Sequence, residues 1–439
     1  MKTLTTEEKQ ELKNRFENIL SIDDLVEVIN YVYQELLAGN EISKDDVLSN
    51  ADLSNKRYHT FSIRKKTGGE RIINAPESSL EKIQKALNTI LNECVTVHPK
   101  AMGFAKGKSV VTNARLHLGK NYVYNIDLKD FFHSFKKWQV KRVFAQSPFQ
   151  FPEEVANCLT NLCVYDLEID DKKAFVLPQG APTSPILTNI LCRKMDIALD
   201  KLAKKYKATY SRYADDISFS SNVSVFNNSV FLEELEAIIS RNKLEINPKK
   251  TRLQKKNTRQ EVTGITVNEK LNTTRKYVKQ IRMWLYLIEK YGAKKAETIF
   301  RKDYAKEKGH TKPEKNPMLS VIGGKLLYLK MVKGAEDSTY LKLAQRFDKV
   351  CGFDADKILD TWQQKGEKEA QKLFEETKNN KWKNLAAGRP KPKRQKLGKH
   401  LMEKSRSMEE QAEYVAQIRK NIAERQAKRK AAMKKIRGE

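Results

Sequence analysis

The chain is short of acid. Against 84 lysines and arginines it sets 55 aspartates and glutamates, a formal net charge of +29 over 439 residues. Such an excess speaks to partners rather than to fold. Nucleic acid is the polyanion it suits best, and an anionic membrane surface is the weaker alternative. Long apolar runs are missing: no stretch nears the roughly 18 residues that a helical span needs, so no membrane crossing is expected. The opening run Met1-Lys-Thr-Leu-Thr-Thr-Glu-Glu-Lys9 carries no apolar leader, and a cytoplasmic protein is expected. Cysteine is scarce. Cys94, Cys158, Cys163, Cys192 and Cys351 form no Cys-x-x-Cys pair, and the six histidines do not gather beside them. This argues against a zinc site and for buried, reduced thiols. No internal repeat is visible. Hydrophobic residues, at 39%, suffice for the cores of two to four domains.

Apolar positions recur at helical spacing over 5–37 (Leu12, Phe16, Ile19, Leu20, then Leu25, Val28, Ile29, Val32), which predicts two helices forming an N-terminal cap. Tyr58 to Pro76 alternates like a hairpin around Thr67-Gly68-Gly69. Further helices are predicted over 80–97, 138–145, 153–165, 186–202 and 230–242. Strands are predicted over 122–128, on both sides of Asp215-Asp216, and over 259–268. From about 275 the chain reads as helical, with basic loops around 302–315. Strands and helices mix without regular alternation, so the expected class is α+β rather than a doubly wound sheet. The last stretch differs. Arg389 to Glu439 carries 17 Lys/Arg against 6 Asp/Glu, a net +11, beginning Arg-Pro-Lys-Pro-Lys-Arg and ending in a basic segment of helical spacing. A solvated basic helix and a phosphate-binding tail are both open readings.

Three runs carry candidate chemistry. In Tyr210-Ser-Arg-Tyr-Ala-Asp-Asp-Ile-Ser-Phe-Ser220, two aspartates sit at a turn between strand-forming residues. Adjacent carboxylates repel, so the pair is either an exposed turn or a seat for a cation, and hard oxygen ligands favour Mg²⁺. In Tyr124-Asn-Ile-Asp-Leu-Lys-Asp-Phe-Phe-His-Ser134, an apolar strand delivers Asp127 at its end, with Asp130 three residues on; a cap for the following helix is the plainer alternative. In Leu177-Pro-Gln-Gly-Ala-Pro-Thr-Ser-Pro185, prolines and a glycine fix an irregular loop ahead of a helix, able to hold backbone and the Gln179 amide against a flat ligand.

Together these runs strongly resemble the reverse transcriptases, and among them the bacterial retron-type enzymes, over roughly residues 55–345. Asp127 matches the first palm aspartate of that family, and Tyr213-Ala214-Asp215-Asp216 its Tyr-x-Asp-Asp box. Leu177-Pro178-Gln179-Gly180 matches the loop that contacts the incoming nucleotide. Ile246-Asn-Pro-Lys-Lys-Thr251 is similar to the following lysine motif. Asn113-Ala114-Arg115-Leu116-His117 resembles the retron Asn-Ala-x-x-His signature, and Val262-Thr263-Gly264 the retron Val-Thr-Gly signature, associated with recognition of the cognate RNA. The chain departs from a compact retron enzyme after about residue 350.

The resemblance implies right-hand polymerase fingers (55–120), a palm with an antiparallel sheet (121–270), a helical thumb (271–350), an N-terminal helical region (1–54) and a basic helical extension (351–439). It implies RNA-directed DNA synthesis with two Mg²⁺ ions held by Asp127, Asp215 and Asp216, with the Leu128 main-chain carbonyl as a further ligand. Lys65 and Arg71 would reach the triphosphate, strand register deciding between Lys65 and Lys66. Gln179 and Gly180 would contact the nucleotide. Phe132 would stand under the sugar and reject a 2′-hydroxyl. Lys250, or Lys249, would protonate the departing pyrophosphate. Asn113, His117, Val262, Thr263 and Gly264 would contact RNA. The implied partners are a structured noncoding RNA that templates and, through an internal 2′-hydroxyl, primes synthesis; deoxynucleoside triphosphates; the RNA–DNA product; and an effector protein in defence against phage. A defence-associated or group II intron-type enzyme, and an RNA-binding scaffold without catalysis, are the competing readings.

Overall fold

The computed structural model describes residues 4–37, 39–64, 69–169, 172–308 and 317–352, with short helical pieces at 357–358, 361, 369 and 371–377. The basic tail at 389–439, Lys65 and Lys66 lie outside the described residues.

The N-terminal layer is helical. α1 (Thr6–Glu17), α2 (Ile22–Glu35) and α3 (Lys44–Ala51) each begin on a capping box, Thr5 with Glu8, Ser21 with Asp24 and Ser43 with Asp46. Each box satisfies two of the amides left open at a helix start. The third helix was not expected, although Ser43-x-x-Asp46 carries its start signal. A hairpin of β1 (Tyr58–Arg64) and β2 (Glu70–Pro76) follows, then α4 (Ser78–Cys94), which packs on α1 and α2. A short α5 (Val110–Arg115), also unexpected, leads into β3 (Tyr122–Asp127).

Next come α6 (Lys137–Ala145), α7 (Glu153–Cys163) and a second hairpin, β4 (Tyr165–Ile169) with β5 (Lys172–Val176), which the sequence reading missed. The helix expected over 186–202 is two helices, α8 (Ser184–Leu191) and α9 (Arg193–Lys205), breaking at Cys192. Asn189 before the break and Asp196 after it both bond to Arg212.

The β6 (Thr209–Tyr213) and β7 (Asp216–Ser221) hairpin and, after α10 (Ser229–Arg241), β8 (Arg252–Lys255) join β3 in a four-stranded antiparallel sheet in the order β6-β7-β3-β8. The strand expected over 259–268 is a miniature hairpin, β9 (Glu261–Val262) with β10 (Ile265–Thr266), turning at Thr263-Gly264, where both residues take the positive φ that a two-residue hairpin turn needs. α11 (Arg275–Lys308), kinked at Gly292, continues through the start of the region read as a basic loop. α12 (Met318–Lys333) and α13 (Ser338–Val350) pack with it around Trp284, Phe300 and Phe347 in a core of their own. Among the described residues no helix is long and apolar enough to cross a membrane.

Strand alternation sorts the central sheet into two chemistries. Tyr124 and Ile126 of β3, Ile217 and Phe219 of β7, Tyr210 of β6 and Leu253 of β8 join the main core, where α9 packs on β6 and α10 on α9. Asp127, Asn125, Asp216, Ser218, Ser220 and Ser211 alternate onto the opposite face. A slip of one residue would bury the aspartates among aromatic rings, so the apolar pattern fixes the register that presents them.

Candidate active site

Asp127 ends β3 and pairs directly with Asp216 at the start of β7. Residues opposed in an antiparallel pair have Cα atoms about 4.5–5.5 Å apart with side chains on one face, so two carboxylates distant in sequence stand together. Asp215 sits in the two-residue turn before β7, and its carbonyl accepts a hydrogen bond from the Leu128 amide at 3.1 Å. The Asp127 carboxylate receives the Lys250 ammonium at 2.8 and 2.9 Å and the Asn247 amide at 3.2 Å. The Asn247 main-chain amide also donates to the Asp127 carbonyl at 2.8 Å. The lysine motif is thereby tied to the end of β3.

Crowding of like charge leaves its mark. Burial first, then the Asp127 charge, raises Asp215 above the usual carboxylate range, while Lys250 and Arg71 pull it back. Burial, then Asp215 and Asp127, push Asp216 up to about 6. Asp216 nonetheless keeps a surface open to solvent, with the Asp215 and Asp127 charges beside it.

The turn depends on residues that the sequence reading missed. Ala214 takes the left-handed conformation, φ 57°, uncommon for a residue with a Cβ. Its carbonyl accepts from Arg212 Nη1 at 3.2 Å. The same guanidinium grips Asp196 of α9 with Nε and Nη2, both at 2.7 Å, and Asn189 of α8 at 3.1 Å. Tyr210 adds its hydroxyl to Asp196 at 2.7 Å, and Asn189 donates to the Gly103 carbonyl at 2.9 Å. Arg212 and Asp196 are both fully buried. Gly103 lies so near that a Cβ there would fall 2.6 Å from the Ala214 nitrogen, which only glycine avoids. The signal was readable in hindsight: Asp196 interrupts the apolar face formed by Met195, Leu199 and Leu202, and Arg212 alternates onto the core side of its strand.

Residues 63–267 match the family model for reverse transcriptase (RNA-dependent DNA polymerase). The retron Ec86 reverse transcriptase of Escherichia coli is 33% identical over 236 residues, covering 53% of this chain and 70% of that protein. This chain belongs to the retron-type reverse transcriptases. The retron Mx65 and Mx162 reverse transcriptases of Myxococcus xanthus are 34% and 35% identical over 244 and 231 residues, covering 53% and 48% of this chain. The chain spans 56% and 47% of the length of those two relatives, about half.

Reverse transcriptase domains use divalent metal ions, and the donor set here suits one: hard carboxylate oxygens on a rigid strand end and turn. Among the described residues no three acidic, histidine or cysteine side chains already surround one point. The Lys250 ammonium instead rests against both oxygens of Asp127, a protein cation on the seat a metal would take.

Of the other residues predicted for the retron-type site, Leu128 lies beside the aspartates, its side chain buried and its backbone bridged to Ile246. Gln179 and Gly180 clamp onto β2: the Asn74 amide donates to the Gln179 carbonyl at 2.8 Å, and Gly180, at φ 136°, leaves no room for a Cβ, which would fall 2.8 Å from Ile73 and 2.9 Å from the Asn74 carbonyl. Arg71 lies exposed on that strand, near enough for its charge to act on Asp215. Phe132 is half-buried, edge-on to Phe131 at 5.5 Å, and Phe131 is the one that fills core. Lys249 is exposed, and Lys250 rather than Lys249 reaches Asp127.

The expected RNA contacts need correction. His117 is fully buried, its Nδ1 paired with Ser220 at 2.7 Å and its Nε2 with Ser211 at 2.8 Å. Burial pushes it down to about 3, so it stays neutral. Asn113, also buried, accepts from Ser211 at 2.6 Å, and Val262 is closed in a small core with Val111, Ala114 and Val123. These three have no side-chain surface for RNA; they pin α5 and β9 to the polar face of the sheet. Thr263 bonds the Val110 carbonyl at 3.2 Å, leaving Gly264 exposed at the turn.

Proposed function

We propose that this chain is an RNA-directed DNA polymerase that copies part of a bound, structured noncoding RNA, within a retron-like antiphage system. The observation that carries the reading is the opposition of Asp127 to Asp216, with Asp215 in the adjoining turn. Residues 55–120 act as fingers, 121–270 as palm, 271–350 as thumb and 351–439 as a basic extension, with 1–54 as a helical cap; Mg²⁺ is the ion the hard carboxylates favour. Two such ions, when bound, supply the charge that acidifies the primer hydroxyl and neutralises the triphosphate.

The rest falls to the protein. Asp127, Asp215, Asp216 and the Leu128 carbonyl hold the seat. Arg71 on β2, together with Lys65, binds the triphosphate, and Gln179 and Gly180 hold the nucleotide against the β1–β2 hairpin. The primer oxygen attacks the α-phosphorus, a new P–O bond forms, the bond to the β-phosphate oxygen breaks, and pyrophosphate leaves. The hydroxyl proton passes to water, and Lys250, freed from Asp127, gives one to the pyrophosphate. Phe132 packs where a 2′-hydroxyl would fall, so DNA is the product.

The test is primer extension with deoxynucleoside triphosphates and Mg²⁺ on a generic RNA template. Wild type should extend, and Asp215→Asn with Asp216→Asn should not. Extension near the wild-type rate by the double variant would refute the assignment, and inactive wild type would favour a non-catalytic scaffold.

A further inference from the structure

Away from the aspartates, the start of α6, the α8–α9 junction and the end of α10 enclose a cleft of about 550 Å³. Its lining holds Arg142, Arg193, Lys194, Arg241 and Lys243 and not one aspartate or glutamate. None of the five has an acidic partner among the described residues, and all five are exposed. Trp138 lines the same cleft with half its surface open (51%), and the Arg142 guanidinium stands 5.8 Å from its ring centre. Trp284, by contrast, is almost completely buried. A neighbouring hollow shares Trp138, Gln139 and Lys243 and adds His133, whose buried Nε2 has no hydrogen-bond partner among the described residues. That hollow also holds Asp130, so the cationic character belongs to the Arg142 side.

Cations without acidic partners around a half-exposed aromatic ring are what a single strand needs: phosphates meet the charges, and a base stacks on the ring. We propose that this cleft binds an unpaired stretch of RNA, with a base on Trp138 and the adjoining phosphates against Arg142, Lys194 and Lys243. None of the predicted polymerase residues lines it. The choice of RNA as the polyanion rests on the template-binding reading above. The cleft also sits one loop from the catalytic centre: Lys243 begins the segment that runs through Ile246, bridged to Leu128, to Lys250 on Asp127.

The full chain is titrated into a labelled 12-nucleotide oligouridine, following anisotropy across a salt series, with thermal unfolding as the check on folding. Trp138→Ala should weaken binding about fivefold or more, and Trp138→Phe, which keeps a stacking face, should restore it. Arg142→Gln with Lys194→Gln should lower the salt slope by about 1.4. Unchanged affinity in Trp138→Ala together with an unchanged slope in the charge variant overturns the proposal. So does a DNA oligonucleotide that binds more tightly than the RNA, or polyglutamate that competes as well as RNA at equal charge. Primer extension is run on the same preparations. Inactive wild type counts against the polymerase reading alone, whereas normal extension with unaltered RNA affinity in both variants removes this inference alone.

Discussion

Arg212→Met puts the support of the Ala214–Asp215 turn to the test. The change removes two 2.7 Å contacts to Asp196, one at 3.1 Å to Asn189 and one at 3.2 Å to the Ala214 carbonyl. It leaves the Asp196 carboxyl group at 0% exposure with only the Tyr210 hydroxyl as a side-chain partner. Breaking a buried pair from one side costs about 3–5 kcal/mol, because the surviving charge keeps its desolvation penalty without its partner. At about 2–4 °C per kcal/mol for a domain of this size, the melting temperature should fall by on the order of 10 °C. Arg212→Met combined with Asp196→Leu removes both charges and should recover most of that loss. It does not return the bond to Ala214, so the left-handed turn is still unsupported and primer extension should remain well below wild type. Differential scanning calorimetry with primer extension on the same samples reads both effects. A single variant that melts within about 1 °C of wild type, or a double variant that regains full extension, would show that Arg212 does not hold the turn.

Asp216, held up to about 6, keeps a proton in the folded state over a window where the unfolded chain, near 3.8, has lost it. Its contribution to stability therefore falls as pH rises from about 4 to 6 and the cost is complete above that. In the presence of a chelator, the stability gained by Asp216→Asn should grow between pH 4 and pH 7, read from urea midpoints; a gain independent of pH would contradict this. Gly180→Ala would drive a Cβ within 2.8 Å of Ile73 at φ 136°, so it should cost about 1–3 kcal/mol and raise the KM for deoxynucleotides; a wild-type KM would dismiss the role of this loop. His117→Ala removes two buried hydrogen bonds and opens a cavity, so a loss of about 2–4 kcal/mol is expected with RNA affinity per folded molecule unchanged. A stable variant with weakened RNA binding would return His117 to the role first read for it.

Whatever depends on neighbours along the chain was legible. Tyr213 to Asp216 is a turn between two alternating strands, and both the strands and the acids could be read because a period of two is local. The helices of the N-terminal cap followed from their spacing in the same way, whereas α3 and α5, of eight and six residues, are too short for periodicity to stand out. The break at Cys192 leaves no local mark, because Arg212, which bonds Asn189 and Asp196 on either side of it, lies 20 residues downstream. The RNA signature residues were misread for a related reason: a short motif names its residues but not the direction in which they face.

The sequence by itself determined the chemistry on offer, since the acids, the lysine motif and the positive excess are properties of composition and of local order. Only the tertiary structure decided where that chemistry meets. Asp127 and Asp216 oppose each other because apolar residues alternating with them must bury on the far side of the sheet. Arg212 lies inside because Asp196 comes from another helix to neutralise it. His117 is structural because two strands bring it serines. Each of these is set by the energy of burying a group with or without a partner, and that partner is a residue far away along the chain.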